Sequence, residues 1–287
     1  MRIARDVREL EHRRRAVAVG TFDGVHLGHR GVLEAARAAG PAATVVTFDP
    51  HPRFALGYDV ELLTSLERRL ELIAELGVEE ALVLEFDLEL ARLEAEEFAD
   101  TVLRALGAEV VVAGANFRFG RGRSGDLALL RELGFDARSV PLVEGVSSSR
   151  IRDLIRAGEI ERAARLLGRP PELDGTVVAG DARGGTLGFP TANLRLDPRL
   201  LVPAFGIYAG AAGGTRAAIS IGTNPHYGGH ERRVEAHLLD FEGDLYGRRL
   251  VIELWRRLRD ERAFESEEEL IAQIGRDVEE TRAAERP

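Results

Sequence analysis

In its first half the chain alternates short, continuous apolar runs with amphipathic stretches, and this alternation limits the fold more than any other feature. Ala16–Gly20 (AVAVG), Ala42–Phe48 (AATVVTF), Ala81–Leu84, Val110–Ala113 (VVVA) and a segment near Ala137–Val140 read as strands. Between them, His29–Ala39, Leu66–Leu76, Ala95–Leu106 and Asp126–Leu133 carry helical periodicity. Strands that are apolar throughout need cover on both faces, so the pattern predicts a doubly wound parallel α/β sheet. The pattern then changes. Arg150–Leu167 (RIRDLIRAGEIERAARLL) predicts helix with a break near Gly158, stopped by Gly168 and by Pro170 and Pro171. Beyond it, Gly175–Val178, Phe205–Gly210, Ala217–Ile221, Arg233–Asp240 and Leu250–Leu254 read as closely spaced strands without helices between them. Ser266–Arg282 reads as a closing helix. The second half therefore predicts an antiparallel sandwich or small barrel. An α/β domain over 1–169 followed by an all-β domain over 170–287 suits a chain of 287 residues.

Composition removes several chemistries. All 39 basic residues are arginine, so a P-loop lysine, a Schiff-base lysine and a lysine general base are excluded. There is no cysteine, which excludes disulfides, thiolate nucleophiles and Cys-ligated metals. Acidic residues outnumber basic ones by 48 to 39, and the net charge of −9 argues against nucleic acid as a partner. No run of apolar residues is long enough to span a membrane. The N-terminal MRIARDVRELEHRRR lacks the apolar core of a signal peptide, so the expected location is the cytoplasm.

The segment Val19–His29 (VGTFDGVHLGH) carries the strongest local signal. A strand ends at Gly20, the chain turns through Asp23 and Gly24, and a helix begins around His26–His29. Histidines three apart share one face of the first helical turn, beside unpaired N–H groups and the positive end of the helix dipole. Such a site suits an anion, and imidazoles there can donate to a polyphosphate. A plain helix start with two solvated histidines accounts for the same spacing. A metal site is disfavoured, since no cysteine and no close third ligand accompany the pair.

Three further polar segments fall after strands: Thr47–Pro52 (TFDPHP), Gly114–Gly120 (GANFRFG) and Val146–Arg152 (VSSSRIR). Open parallel sheets bind ligands beyond the carboxyl ends of their strands, so the convergence points to a nucleotide site. In the second half, Gly180–Asn193 (GDARGGTLGFPTAN) combines glycines that let backbone approach phosphate with Thr191 and Asn193, oxygen donors of the kind magnesium accepts. In Arg233–Asp240 (RVEAHLLD) the alternation sets Val234, Ala236 and Leu238 on one face and Glu235 and His237 on the other. Glu235 is thereby a candidate general base, and a plain solvated strand carboxylate accounts for the same pattern. His12, His230 and the arginine clusters Arg13–Arg15 and Arg256–Arg257 read as surface features.

GTFDGVHLGH, TFDPHP, NFRFGRGRSGD, SSSRIR, LGFPTAN, GTNP and VEAHLLDFEGDLYG occur in this order, and together they resemble the bacterial bifunctional riboflavin kinase/FMN adenylyltransferase family. The resemblance runs from about Ala16 to Arg282. It implies a Rossmann-like nucleotidyltransferase domain at the N-terminus and a small riboflavin-kinase-like barrel with a terminal helix at the C-terminus. It implies two reactions: ATP phosphorylates riboflavin to FMN, and FMN is adenylylated to FAD with release of pyrophosphate. His26 and His29 align with the catalytic residues of the adenylyl site. Gly20, Phe22, Asp23, Gly24, His51, Asn116, Ser148, Ser149 and Arg152 align with its nucleotide-binding residues. Glu235 aligns with the kinase base, Gly188, Pro190, Thr191 and Asn193 with its nucleotide site, and Thr191 and Asn193 with ligands of magnesium-ATP. The expected small-molecule partners are ATP, riboflavin and FMN, with Mg2+ as cofactor and a monomer or weak homo-oligomer as the assembly.

The sequence departs from the family pattern in places. Gly185 stands where arginine is usual before TLGFP, with Arg183 nearby. His226 replaces a common threonine after GTNP, and Ser149 replaces threonine while keeping the hydroxyl. One alternative follows from Gly185, the same fold with only the adenylyltransferase active; a second, of another class, is a flavin- or nucleotide-binding regulator that keeps the pockets without turnover.

Overall fold

The computed structural model describes residues 1–40, 42–180, 189–223 and 232–287. Gly185, Gly188, His226 and His230, all singled out from the sequence, lie outside the described residues, as does Arg183. The chain packs as two compact units. One comprises 1–60 and 66–147, and the other 61–65 and 148–287.

The first unit is built on strands β1 (Arg2–Ala4), β2 (Arg15–Val19), β3 (Ala43–Asp49), β4 (Glu80–Glu85), β5 (Ala108–Gly114) and β6 (Asp136–Val140). They form one parallel sheet in the order β1-β4-β3-β2-β5-β6. The helices are α1 (Leu27–Ala39), α2 (Pro52–Ala55), α3 (Leu66–Glu75), α4 (Ala95–Phe98) and α5 (Leu127–Glu132), with α4 running on as a π-helical segment, Ala99–Arg104. Two apolar clusters cover the sheet. Val32, Leu33, Leu70 and Ile73 pack with Val45 and Val83 in one, and Phe98, Val102, Leu103 and Leu130 with Val46 and Val111 in the other. The doubly wound expectation is met, and the strand order reverses at β2, beside which ligands of such sheets bind.

One sequence reading is extended here and one is corrected. The N-terminal residues add an edge strand, β1, too short to announce itself by pattern. The cluster Arg13–Arg15 is not wholly a surface feature, because Arg15 is buried. Its Nε donates to Glu80 Oε2 at 2.8 Å, and the same carboxylate accepts from Thr44 at 3.1 Å and pairs with Arg13 at 3.1 Å. A buried guanidinium needs such a partner, since taking an unpaired charge out of water costs several kcal/mol.

The second unit contains α6 (Ser148–Arg156) and α7 (Ile160–Leu167), then strands β7 (Glu172–Val178), β8 (Ala192–Leu196), β9 (Gly206–Ala212), β10 (Thr215–Thr223), β11 (Arg232–Leu238) and β12 (Arg249–Arg259), and finally helix α8 (Glu267–Ala283). The helical break falls at Gly158, whose φ of 75° lies in the left-handed region that glycine enters without cost. The strands close into an antiparallel barrel in the order β10-β11-β8-β7-β12-β9. Its interior is filled by Tyr208, Ile219, Ile221, Val234, Ala236, Ile252 and Leu254. Gly210 is required by the tight pairing of β9 and β12, for a Cβ there would lie 1.9 Å from the Glu253 carbonyl oxygen. Segment 61–65 belongs to this unit: Leu62 pairs with Leu200, Leu63 packs against Ile151 and Leu201, and Ser65 donates to Asp174 at 2.7 Å. Strand β8 was not expected, because its sequence ANLRL continues the glycine-rich segment read as a ligand loop. Ser266 caps α8 through the Glu269 N–H, and at the other end Arg216 Nη1 donates to the Thr281 and Ala284 carbonyls at 3.0 and 2.8 Å.

Candidate active sites

The histidine site stands at the exit of β2. The last bond to β3 runs from the Gly20 N–H to the Val46 carbonyl at 3.1 Å, after which the chain turns sharply. Phe22 (φ 51°), Gly24 (φ 82°) and Val25 (φ 38°) all take left-handed backbone. A β-branched residue there carries strain of about 1–3 kcal/mol, and strain of this kind collects at functional turns. The turn delivers His26 to the N-cap of α1, where its Nδ1 accepts from the His29 N–H at 3.3 Å. The two rings stack at 3.6 Å between centroids and 15° between planes, as the three-residue spacing predicts. Phe22 is buried and meets the His29 ring edge-on at 5.4 Å. Gly28 lies against the His26 ring, where an added Cβ would come within 3.2 Å of Cε1. Asp23 is buried beneath the turn.

His51 occupies the equivalent place after β3, where its Nδ1 accepts from the Arg53 N–H at 3.2 Å at the start of α2. Asn116 follows β5 and is exposed. Thus the exits of adjacent parallel strands β2, β3 and β5 carry His26, His29, His51 and Asn116 on one edge of the sheet. Ser148 and Ser149 open α6 of the second unit, and Arg152 is buried on it with Nε donating to the Glu61 carbonyl at 2.6 Å. Sequence reasoning overlooked Arg69 of α3, which is buried and donates to the carbonyls of Thr21 and Phe48. Its signal was an arginine in line with the apolar stripe of an amphipathic helix.

The carboxylate site lies on the outer wall of the barrel. Along β11, Val234, Ala236 and Leu238 are buried, whereas Arg233, Glu235 and His237 are partly exposed, in keeping with the alternation. Glu235 stands opposite Asn193 in the β11–β8 ladder and opposite Ser220 in the β10–β11 ladder. Its two oxygens are held separately: Arg233 Nη1 lies 3.0 Å from Oε1, and the Thr191 hydroxyl donates to Oε2 at 3.3 Å. His237 donates from Nδ1 to the Pro190 carbonyl at 2.8 Å and meets the Phe189 ring edge-on at 5.4 Å. These contacts pin the segment before Thr191 against β11. Arg233 and His237 were absent from the expected site; the same alternation that exposed Glu235 marks both. Beside them, Pro190, Thr191, Leu238, Phe241, Asp244 and Tyr246 line a cavity of about 210 Å³.

The donor set suits a hard divalent cation. Among the described residues the buried Asn193 Oδ1 has no hydrogen-bond partner; Glu235 stands opposite Asn193 in the ladder, and the Thr191 hydroxyl donates to that carboxylate. Oxygen donors few in number match Mg2+, which takes the rest of its shell from substrate phosphates and water. Among the described residues no group of three or more His, Asp or Glu side chains forms a metal cage of its own.

Two family models match the chain: FAD synthetase over residues 8–151 and riboflavin kinase over residues 167–284. The bifunctional riboflavin kinase/FMN adenylyltransferase of Listeria monocytogenes is 38% identical, over 94% of this chain and 92% of its own. The Escherichia coli K12 protein of the same name is 38% identical, over 91% and 90%. The chain belongs to the bifunctional riboflavin kinase/FMN adenylyltransferase family. A crystal structure from Streptococcus pneumoniae, named as a macrolide-efflux protein, is similar at a TM-score of 0.87 with 33% identity, covering 98% of each chain. Among the described residues no helix is long and apolar enough to cross a membrane.

Proposed function

We propose that this protein phosphorylates riboflavin to FMN with ATP and then adenylylates FMN to FAD, with pyrophosphate as the second product. The observation that supports the reading best is that two family models match one chain, FAD synthetase over the segment that holds His26, His29 and His51 and riboflavin kinase over the segment that holds Thr191, Asn193 and Glu235. We assign adenylyl transfer to residues 1–169 and the kinase to residues 170–287.

Adenylyl transfer needs no enzyme nucleophile, because the FMN phosphate is already an anion able to attack the α-phosphorus of ATP. The protein's work is alignment and the stabilisation of charge growing on the phosphates. His26 and His29, at the N-terminal end of α1, supply that charge stabilisation. Gly20, Phe22, Asp23, Gly24, His51, Asn116, Ser148, Ser149 and Arg152 are assigned to nucleotide binding.

Phosphorylation of the riboflavin 5′-hydroxyl differs in that a proton must leave. Glu235 accepts it, with Arg233 and Thr191 fixing the orientation of the carboxylate. Gly188, Pro190, Thr191 and Asn193 are assigned to the nucleotide of this site. Thr191 and Asn193 would hold Mg2+, which when bound neutralises charge on the transferring phosphates.

The test is a time course of purified protein with riboflavin and magnesium-ATP, separating riboflavin, FMN and FAD, beside a reaction started from FMN. FMN appearing first and FAD following is the expected result. FAD from FMN with nothing from riboflavin restricts the function to adenylyl transfer, and no product from either overturns the enzyme reading.

A further inference from the structure

Helix α3 turns Leu70, Leu72 and Ile73 into the core of the first unit, and Arg69 lies buried among them at 3% exposure. A leucine or methionine would continue that stripe without the cost of desolvating a cation. What the arginine does instead is bridge two strand exits. Nη1 donates to the Thr21 carbonyl at 2.8 Å and Nη2 to the Phe48 carbonyl at 3.1 Å. The Thr47 hydroxyl donates to the same Thr21 carbonyl at 3.2 Å. These bonds lie past the Gly20–Val46 bond, where the ladder between β2 and β3 stops. Burial pulls the Arg69 guanidinium below its usual range, and the negative charges of Asp23 and Asp49, one from each exit, offset only part of that.

The two exits tied here lead to the histidines. From Thr21 the chain runs through the strained turn to His26 and His29, and from Phe48 it runs directly to His51. We propose that Arg69 is a positioning residue for adenylyl transfer, setting the separation of the two strand exits and so the places of the His26–His29 pair and His51. The proposal rests on the assignment of those histidines to the adenylyl site. Alignment of charge-stabilising groups matters more in the transition state than in the bound substrate, so its loss is read in kcat before KM.

The experiment compares Arg69→Lys, Arg69→Met and His29→Asn in the full chain, with FMN adenylylation measured at varied ATP and riboflavin phosphorylation as the internal control. Lysine keeps the charge but, as a point donor, lacks the planar fork that reaches both carbonyls. The expected result for Arg69→Lys is a fall in kcat of about tenfold or more with KM for ATP within about twofold, since misplacement by an ångström is enough to cost that much. Riboflavin phosphorylation and far-UV circular dichroism stay as in the parent. Arg69→Met is expected to lose more, and if it fails to fold, Arg69→Lys decides. A kcat within about twofold of the parent in Arg69→Lys overturns the proposal, because that spread is no more than ordinary surface variation. An activity loss that only tracks the folded fraction overturns it too. Loss in His29→Asn with retention in Arg69→Lys rejects Arg69 alone, whereas full activity in His29→Asn rejects the histidine assignment and the proposal with it.

Discussion

The histidines of the first unit hang on turns beyond the strands, while Glu235 of the second stands on the wall of a closed barrel. His26 and His29 take their places from backbone: a left-handed turn, an N-cap and a stacked pair of rings. Glu235 takes its place from strand alternation, locked between neighbours β8 and β10. The chemistry divides in the same way. Under the proposed assignment, one unit would meet phosphate with imidazoles and a helix N-terminus, and the other would meet a hydroxyl with a carboxylate. The difference teaches that a reaction needing only charge and alignment can be built on a loop. A reaction that removes a proton calls for a rigid surface from which one group cannot drift.

If the two sites are independent, single substitutions should separate them. The largest expected effect is that of Glu235→Ala, which should lower riboflavin phosphorylation by about 10²–10⁴-fold, the usual worth of a general base. FAD formation from supplied FMN should stay unchanged, and chromatography of the two parallel reactions reads both. Loss of both activities together would reject the two-site assignment. Next in size, His29→Asn should lower FMN adenylylation by about 10²–10³-fold, as when one charge-stabilising donor is removed. Phosphorylation of riboflavin should then be untouched, and an equal fall in the two rates would mean that the two sites are not independent.

Much of the fold could be read from local pattern, and the failures have a common cause. Strands β2, β3 and β5 announce themselves as apolar runs, and the helix break at Gly158 is written in one residue. Strand β1 escaped because three residues at a sheet edge form no pattern without β4 beside them. Strand β8 escaped because its glycine-rich approach and polar Asn193 look like a ligand loop, and only the ladders to β7 and β11 make it a strand. Arg15 was misread for the same reason: its partner Glu80 lies 65 positions away. For the sites, spacing alone placed His29 one turn from His26, and alternation alone put Glu235 on the polar face. The strain at Phe22 and Val25 had no such signal, since non-glycine residues in left-handed backbone leave no mark on composition. Long-range partners, not residue types, were what sequence pattern could not supply.

The smallest expected effect sharpens the comparison through stability, and it depends on the Arg15–Glu80 pair. Burial pushes the Glu80 carboxyl up, but Arg15, with Thr44 and Arg13, outweighs burial and holds it below the usual carboxylate range. The unfolded chain therefore takes up this proton at a higher pH than the folded one. The stabilisation is complete above the unfolded value of about 4.3, and it is lost as pH falls through the lower folded value. One group can change the slope by at most one proton, or about 1.4 kcal/mol per pH unit. Trp255 is the chain's one tryptophan and sits in the second unit, so its fluorescence follows that unit while far-UV circular dichroism follows both. Replacing both partners, as Arg15→Met with Glu80→Leu, avoids leaving a buried charge alone, a change that is often near neutral at pH 7. Denaturation between pH 7 and pH 3 should then show a flatter acid limb by dichroism in the double variant, with the Trp255 transition unmoved. Acid limbs that coincide would mean that Glu80 titrates alike in both states and that the pair does not link the first unit's stability to pH.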